Sequence, residues 1–264
     1  MTTIRVIGPG RAGRSLMAAL RAVGGYEVLG ALGRGDDLGG AAAGADLVVI
    51  ATPDAAVAPT AEAIAPSAST VVAHLSGSLG LDVLAPHPRR AGLHPLVPLP
   101  DPETGAARLA SGASFAVAGD PLVRSVVLAL GGRVVAVDDS SRGAYHAAAT
   151  IAANHVVALL GQVERVAAQA GLPLGAFSGL VRAAVDDTMA LGPGLALTGP
   201  AARGDWETIA RHRAFLATMA DGRAELEAYD TMVGLARRLV EDPGRLVEDP
   251  GPVMAAPDAV KDAA

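Results

Sequence analysis

A β-branched run, Ile4–Ile7, breaks at residue 8 into Gly8-Pro9-Gly10-Arg11-Ala12-Gly13, and apolar residues at helical spacing follow at once: Leu16, Ala19, Leu20 and Val23. Strand, glycine turn and helix in that order constrain the fold more than any other segment. The first glycine allows a tight turn, the second lets a diphosphate approach the backbone, and the third lets the helix lie against the sheet. Free N–H groups at the helix start then face any anion held there. The plainer alternative is a glycine-rich turn in a chain with 32 glycines among its 264 residues. The strand–turn–helix context favours a dinucleotide site.

The rhythm continues downstream. Tyr26–Leu32, Ala45–Thr52 and Thr70–Leu75 read as strands, the middle one a continuous apolar run of the kind buried on both faces. Pro53 to Ile64 can form a helix starting at its proline. Ser114–Ala118 and Arg133–Val137 look like two more strands. Alternating strands and helices imply an α/β fold, a Rossmann-type, mostly parallel sheet with helices on both faces. The character then changes. Ser140 to about Ala170, Leu174–Leu191, Asp205–Met219 and Gly222–Val240 carry helical spacing without strands, which implies an all-helical C-terminal domain. The expected boundaries are 1–138 for the sheet domain and 139–242 for the helical one. The segment RLVEDPG occurs twice in tandem, from Arg238 and from Arg245. Two copies are too few for a solenoid, so 243–264 is expected to be a loose tail.

Composition narrows the partners. The chain is 51% hydrophobic and 18% charged, as a globular protein with an ample core is. A net charge of −6 argues against a nucleic-acid partner, which needs a basic face. The absence of cysteine excludes disulfides, thiolate nucleophiles and Cys-ligated metals, and no metal site is expected. The apolar N-terminal stretch is too short for a signal segment, and no run of about 18 apolar residues could span a membrane. A soluble, cytoplasmic protein is expected.

Cofactor choice turns on the residue after the second strand. An acid about 20 positions on would hold the ribose 2′-hydroxyl of NAD. Arg34 stands there instead, and its guanidinium suits the 2′-phosphate of NADP. Asp36 and Asp37 come slightly late but would serve NAD if the strand ran longer. NADP is favoured over NAD. The chemistry belongs beyond the carboxyl ends of the strands, at Thr52-Pro53-Asp54, His74-Leu75-Ser76-Gly77 and Gly92-Leu93-His94-Pro95. His74 reads as a core histidine. His94 is either that or a proton carrier. On the long helix His146, Thr150 and Asn154 share a face at 3.6 residues per turn, either lining a cleft or forming a buried network. Asp205 is the expected N-cap after Leu197-Thr198-Gly199-Pro200, and Arg203 could hold a carboxylate.

These segments together resemble the Rossmann-like and DUF2520 domain-containing proteins, over residues 3 to about 240. Gly8 to Gly13, His74-Leu75-Ser76-Gly77, Leu93-His94-Pro95-Leu96, Tyr145-His146-Ala147-Ala148-Ala149 through Asn154, and Leu197-Thr198-Gly199-Pro200 with Arg203-Gly204-Asp205 carry the likeness. The resemblance implies a dinucleotide-binding domain followed by a helical dimerisation domain. That plan is similar to pyrroline-5-carboxylate reductase, ketopantoate reductase, F420-dependent NADP reductase and the 6-phosphogluconate dehydrogenase superfamily. Ketopantoate reductase and the β-hydroxyacid dehydrogenases use a lysine on the first long helix. The single lysine here, Lys261, lies in the tail, so a lysine acid is not expected.

The expected function is NADP-dependent reduction of a small carbonyl or imine compound, such as the 2-oxo acid ketopantoate, in a cleft between the domains. Gly8, Gly10, Arg11, Ala12, Gly13, Arg34, Thr52, Pro53 and Ser76 would hold the cofactor. His146 or His94 would supply the proton, and Asn154 and Ser76 would bond the carbonyl oxygen. Thr150, Thr198 and Arg203 would bind substrate. A homodimer through the helical domain is expected from the resemblance and from helices as apolar as Ala147–Leu160. The alternative is a regulatory or structural dinucleotide-binding protein without turnover, motivated by the missing lysine.

Overall fold

The computed structural model describes residues 1–241. The expected tail, with the second RLVEDPG copy and Lys261, lies outside the described residues. The described residues form two compact units, 1–153 and 154–241.

The first unit is built on one seven-stranded sheet, β1 (Thr2–Ile7), β2 (Tyr26–Val28), β3 (Leu47–Ile50), β4 (Val71–His74), β5 (Arg90–Pro95), β6 (Ser114–Gly119) and β7 (Arg133–Ala136), in the order β2-β1-β3-β4-β5-β6-β7. The first five strands run parallel. β6 is antiparallel to β5, and β7 is parallel to β6. The sheet is therefore mostly parallel, with a reversed pair at one edge. The order reverses between β1 and β3, which is where ligands sit in open α/β sheets.

Helices α1 (Arg11–Val23), α2 (Val57–Glu62), α3 (Pro102–Leu109) and α4 (Leu122–Ala129) cover the sheet. Strand alternation sends Ile4, Val6, Leu47, Val49, Val71, Ala73, Ala91 and Leu93 to one face, under Leu16 and Leu20 of α1. Val48, Ile50 and Val72 go to the other, against Val57 and Ala61 of α2. The same alternation puts His74, Gly92 and His94 on that second face. At the end of the unit, α5 (Arg142–Thr150) runs into a π turn, Ile151–His155. The division between the units falls inside this turn.

The described residues of the second unit form helices and no strand, chiefly α6 (Val156–Ala168), α7 (Ser178–Leu191), α8 (Pro193–Ala196), α9 (Pro200–Arg203), α10 (Trp206–Leu216) and α11 (Gly222–Glu241). Asp205 caps α10 as expected, its Oδ1 accepting the Thr208 N–H at 3.0 Å. An ion pair joins α6 to α11, from the exposed Arg165 Nε to the buried Glu225 Oε1 at 2.5 Å. Large apolar side chains nevertheless stay exposed, among them Val157, Leu180, Met189 and Leu195. No helix among the described residues is long and apolar enough to cross a membrane.

Candidate active site

The glycine turn sits at the switch point. Gly8 has φ +97°, a conformation side chains rarely adopt, and its N–H donates to Leu32 O at 2.8 Å. A Cβ there would lie 2.9 Å from the carbonyl carbon and oxygen of Ala51, beyond β3. At Gly13 a Cβ would run into Gly8 O and come within 3.2 Å of Val6 and Ala51, so the third glycine lets α1 close on the sheet. Gly10 differs. A Cβ there would meet nothing within 4 Å among the described residues, so the space over it is open to them. Gly10 is the N-cap of α1 and no side chain caps the helix. The N–H groups of Arg11, Ala12 and Gly13 therefore point at an anion position.

A cavity of about 540 Å³ opens beside this turn. Gly8, Pro9, Gly10, Gly33, Arg34, Asp36, Thr52 and Pro53 line it. Thr52 Oγ1 is buried without a hydrogen-bond partner among the described residues. The two carboxylates suited to NAD, Asp36 and Asp37, are engaged by their own loop. Asp36 Oδ2 accepts the Gly33 N–H at 2.6 Å, and Asp37 Oδ1 accepts the Gly39 N–H at 2.9 Å. Arg34 is exposed at the rim. An uncapped helix start, open space over Gly10 and an orphan hydroxyl at Thr52 fit a dinucleotide.

A second group of side chains gathers at the carboxyl ends of β4 and β5. His94 Nδ1 and the Tyr145 hydroxyl are 2.5 Å apart, with the rings edge to face. His146, the next residue on α5, stands with its ring centroid 6.1 Å from that of His94. Gly77 makes room for both. A Cβ on it would lie 2.7 Å from His146 Nδ1 and 3.0 Å from His94 Nε2. His146 Nδ1 is buried and has no partner among the described residues. Burial, the neighbouring His146 and the Arg142 guanidinium push His94 down to about 4. Burial pushes the Tyr145 phenol up to about 12. At neutral pH this pair is therefore an uncharged imidazole against a protonated phenol. It can hold and orient a hydrogen bond.

The other expected residues fall as follows. Ser76 is buried, and its Oγ accepts the N–H groups of Ser78 and Leu79 at 3.2 Å. Ser78 Oγ donates to Asp54 Oδ2 at 2.5 Å and lies 3.2 Å from Ser76 Oγ. With the Ser78 proton spent on Asp54, Ser76 donates its own to Ser78, and the hydroxyl is engaged within the turn that presents Gly77. His74 is fully buried, with Nε2 3.3 Å from Gly80 O. Thr150 ends α5 and is half-buried. Asn154 is exposed within the π turn of i→i+5 bonds, so the 3.6-residue count behind a shared His146–Asn154 face does not carry across it. Thr198 and Arg203 are exposed on the second unit, Arg203 as the last residue of α9. Two residues of the cluster had no role from sequence. Tyr145 precedes His146 and gains its part only through β5. Arg142 looks like any arginine at a helix start, yet it is 2% exposed.

These features define a class: a doubly wound α/β domain with a glycine turn at its switch point, followed by an all-helical domain. Residues 37–100 match the Rossmann-like domain, and residues 115–235 match DUF2520, a domain of unknown function. The chain is a Rossmann-like and DUF2520 domain-containing protein. The DUF2520 match starts inside β6, so it takes in β7 and α5 with Tyr145 and His146. No curated protein matches the chain. Among solved structures, a proposed NADP oxidoreductase from Bacteroides fragilis is similar at 20% identity, over 90% of this chain and 98% of that one, with TM-score 0.74. Protein TM1727 from Thermotoga maritima is 22% identical over 92% of this chain and 100% of its own, at 0.67. A reductive aminase from Aspergillus terreus, in complex with NADPH and ethyl levulinate, is 16% identical over 92% and 94%, at 0.59. At these identities the likeness is one of fold.

Proposed function

We propose that this protein is an NADP-dependent oxidoreductase that reduces a small carbonyl or imine compound, such as a 2-oxo acid. One observation carries the reading: the sheet bears both a glycine-turn cavity fit for a dinucleotide and, beyond β4 and β5, a histidine–tyrosine cluster. The names of the similar Bacteroides and Aspergillus proteins support the same class. When bound, the nicotinamide supplies a hydride. The protein supplies the rest. The uncapped start of α1 offsets the diphosphate charge, and Arg34 pairs with the 2′-phosphate. His146 delivers the proton that balances the hydride, to the carbonyl oxygen or imine nitrogen. Asn154 hydrogen-bonds that atom, Thr150 and Thr198 contact the substrate, and Arg203 takes its carboxylate. Ser76 acts by holding the turn around Gly77. No lysine is available for these tasks in residues 1–241.

Calorimetric titration with NADPH and, separately, NADH tests the reading. NADPH is expected to bind more tightly. Arg34→Ala should weaken NADPH about tenfold or more and leave NADH unchanged. Failure to bind either cofactor overturns the proposal. The exposed apolar residues of the second unit are proposed to pair with a second copy of the chain. Sedimentation velocity should then give a dimer, and a monomer at micromolar concentration would remove that part.

A further inference from the structure

Arg142 opens α5 and is 2% exposed. A buried guanidinium needs compensation and acceptors. Asp139, in the turn before α5, supplies one, its Oδ1 accepting from Arg142 Nε at 2.9 Å. Its other oxygen accepts the Leu81 N–H at 2.9 Å, which ties the start of α5 to the segment after β4. Burial alone would raise the Asp139 carboxyl, but the Leu81 N–H and the arginine outweigh it and hold it below its ordinary value. The two terminal nitrogens of Arg142 are buried and without partners among the described residues. They reach the sheet where a side chain is missing. A Cβ on Gly92 would lie 2.6 Å from the Arg142 terminal nitrogen and 3.6 Å from His74 Cε1. The guanidinium therefore fills the notch that Gly92 leaves in β5, on the face that carries His74 and His94. Tyr145 and His146 follow one turn later on the same helix.

We propose that Arg142 is a positioning residue for the His94–Tyr145–His146 cluster: clamped by Asp139 and seated over Gly92, it fixes the stance of α5 and the direction of the cluster's hydrogen bonds. The role rests on the reading of His146, held beside His94, as the group that delivers the proton. Direction follows from donor chemistry. A guanidinium only donates, and a permanent positive charge in the interior opposes a second one beside it. His74 shows the pattern. Its Nε2 faces the Gly80 carbonyl, which only accepts, so Nε2 carries the proton and Nδ1 is left as a lone pair. The charged and titratable groups around Arg142 are Asp139 before α5, Tyr145 and His146 on α5, His74 at the end of β4, His94 on β5, and Asp54 after β3. Of these Asp139 and Asp54 oppose its effect on His74, and Asp54 opposes its effect on His94. Burial followed by Arg142 lowers His74, and Arg142 also contributes to the low value of His94. With His94 uncharged, Tyr145 donates to its Nδ1. The ring proton then sits on Nε2, which would lie 3.0 Å from a Cβ on Gly77, as His146 Nδ1 would lie 2.7 Å from it.

Nitrogen-resolved NMR of the full-length protein tests this, since the chain has only six histidines. In the wild type at neutral pH, His94 is expected to carry its proton on Nε2. A proton on Nδ1 overturns the proposal without any variant. In Arg142→Gln the His94 titration midpoint should rise by about one pH unit or more, and in Arg142→Lys it should stay low. A midpoint unchanged in R142Q, or raised equally in R142K, also overturns it. R142Q should lower kcat and move the acid limb of its pH profile upward, with NADPH binding unchanged. The NMR readings need no substrate, so they stand even if the protein reduces nothing. A reductase with an unmoved His94 would sink the role of Arg142 alone.

Discussion

Exchanging His146 for alanine is expected to lower turnover by about 10²–10⁴-fold, the usual contribution of a positioned general acid, with NADPH affinity unchanged. The separation of the two effects comes from placement. The cofactor-binding surface is built from the glycine turn, the Gly33–Asp36 loop and Thr52, none of which touches α5 in the cavity lining. His146 makes no hydrogen bond to another described residue, and its Nδ1 is buried unpaired. Its removal leaves no partner stranded, so the fold should tolerate the change. His94 would be a poorer test. Losing it strands the Tyr145 hydroxyl, now 2.5 Å from its nitrogen, and mixes a stability cost with a catalytic one. Steady-state kinetics beside calorimetry on H146A reads both quantities. Wild-type turnover would remove His146 as the acid. Loss of NADPH binding would mean that α5 takes part in the cofactor site.

Much of this was written in short-range signals. The glycine turn, the apolar runs of β3 and β4 and the aspartate cap of α10 each depend on a few adjacent residues, and sequence reading found them. The strand β5 was harder, because Arg90-Ala-Gly-Leu-His-Pro95 has neither alternation nor β-branched residues. It is a strand because β4 and β6 pair with it on either side. The reversal at β6 leaves no mark in local pattern either. The π turn interrupts the helix at Ile151–His155 without a proline or glycine to announce it. At the site, His94 and His146 were visible as titratable residues near strand and helix ends. Their meeting over Gly77 was not, since it joins β5, α5 and the loop after β4. Arg142 is the clearest case. Its burial depends on one missing side chain in a strand 50 positions away, and no periodicity encodes that.

Gly8→Ala and Gly10→Ala are expected to fail in different ways, and the contrast tests whether the turn holds a ligand or only shapes the fold. At Gly8 the backbone has φ +97°, and a methyl group would press on Ala51 at 2.9 Å, where β1 and β3 end side by side. Such a conformation costs a non-glycine residue about 1–3 kcal/mol, before the overlap is counted. The variant should melt several degrees lower, at about 2–4 °C per kcal/mol for a chain of this size, and bind NADPH at least about tenfold more weakly. Gly10 has an ordinary extended backbone, φ −76° and ψ −169°, and no described residue within 4 Å of the missing Cβ. G10A should melt like the wild type, because nothing among the described residues opposes the methyl group. It should still lose NADPH affinity, because the diphosphate must pass where that group stands. Thermal unfolding and calorimetry on the two variants give the four values needed. If G10A binds NADPH as tightly as the wild type, nothing approaches the backbone at that point, and the glycines serve only to close α1 on the sheet.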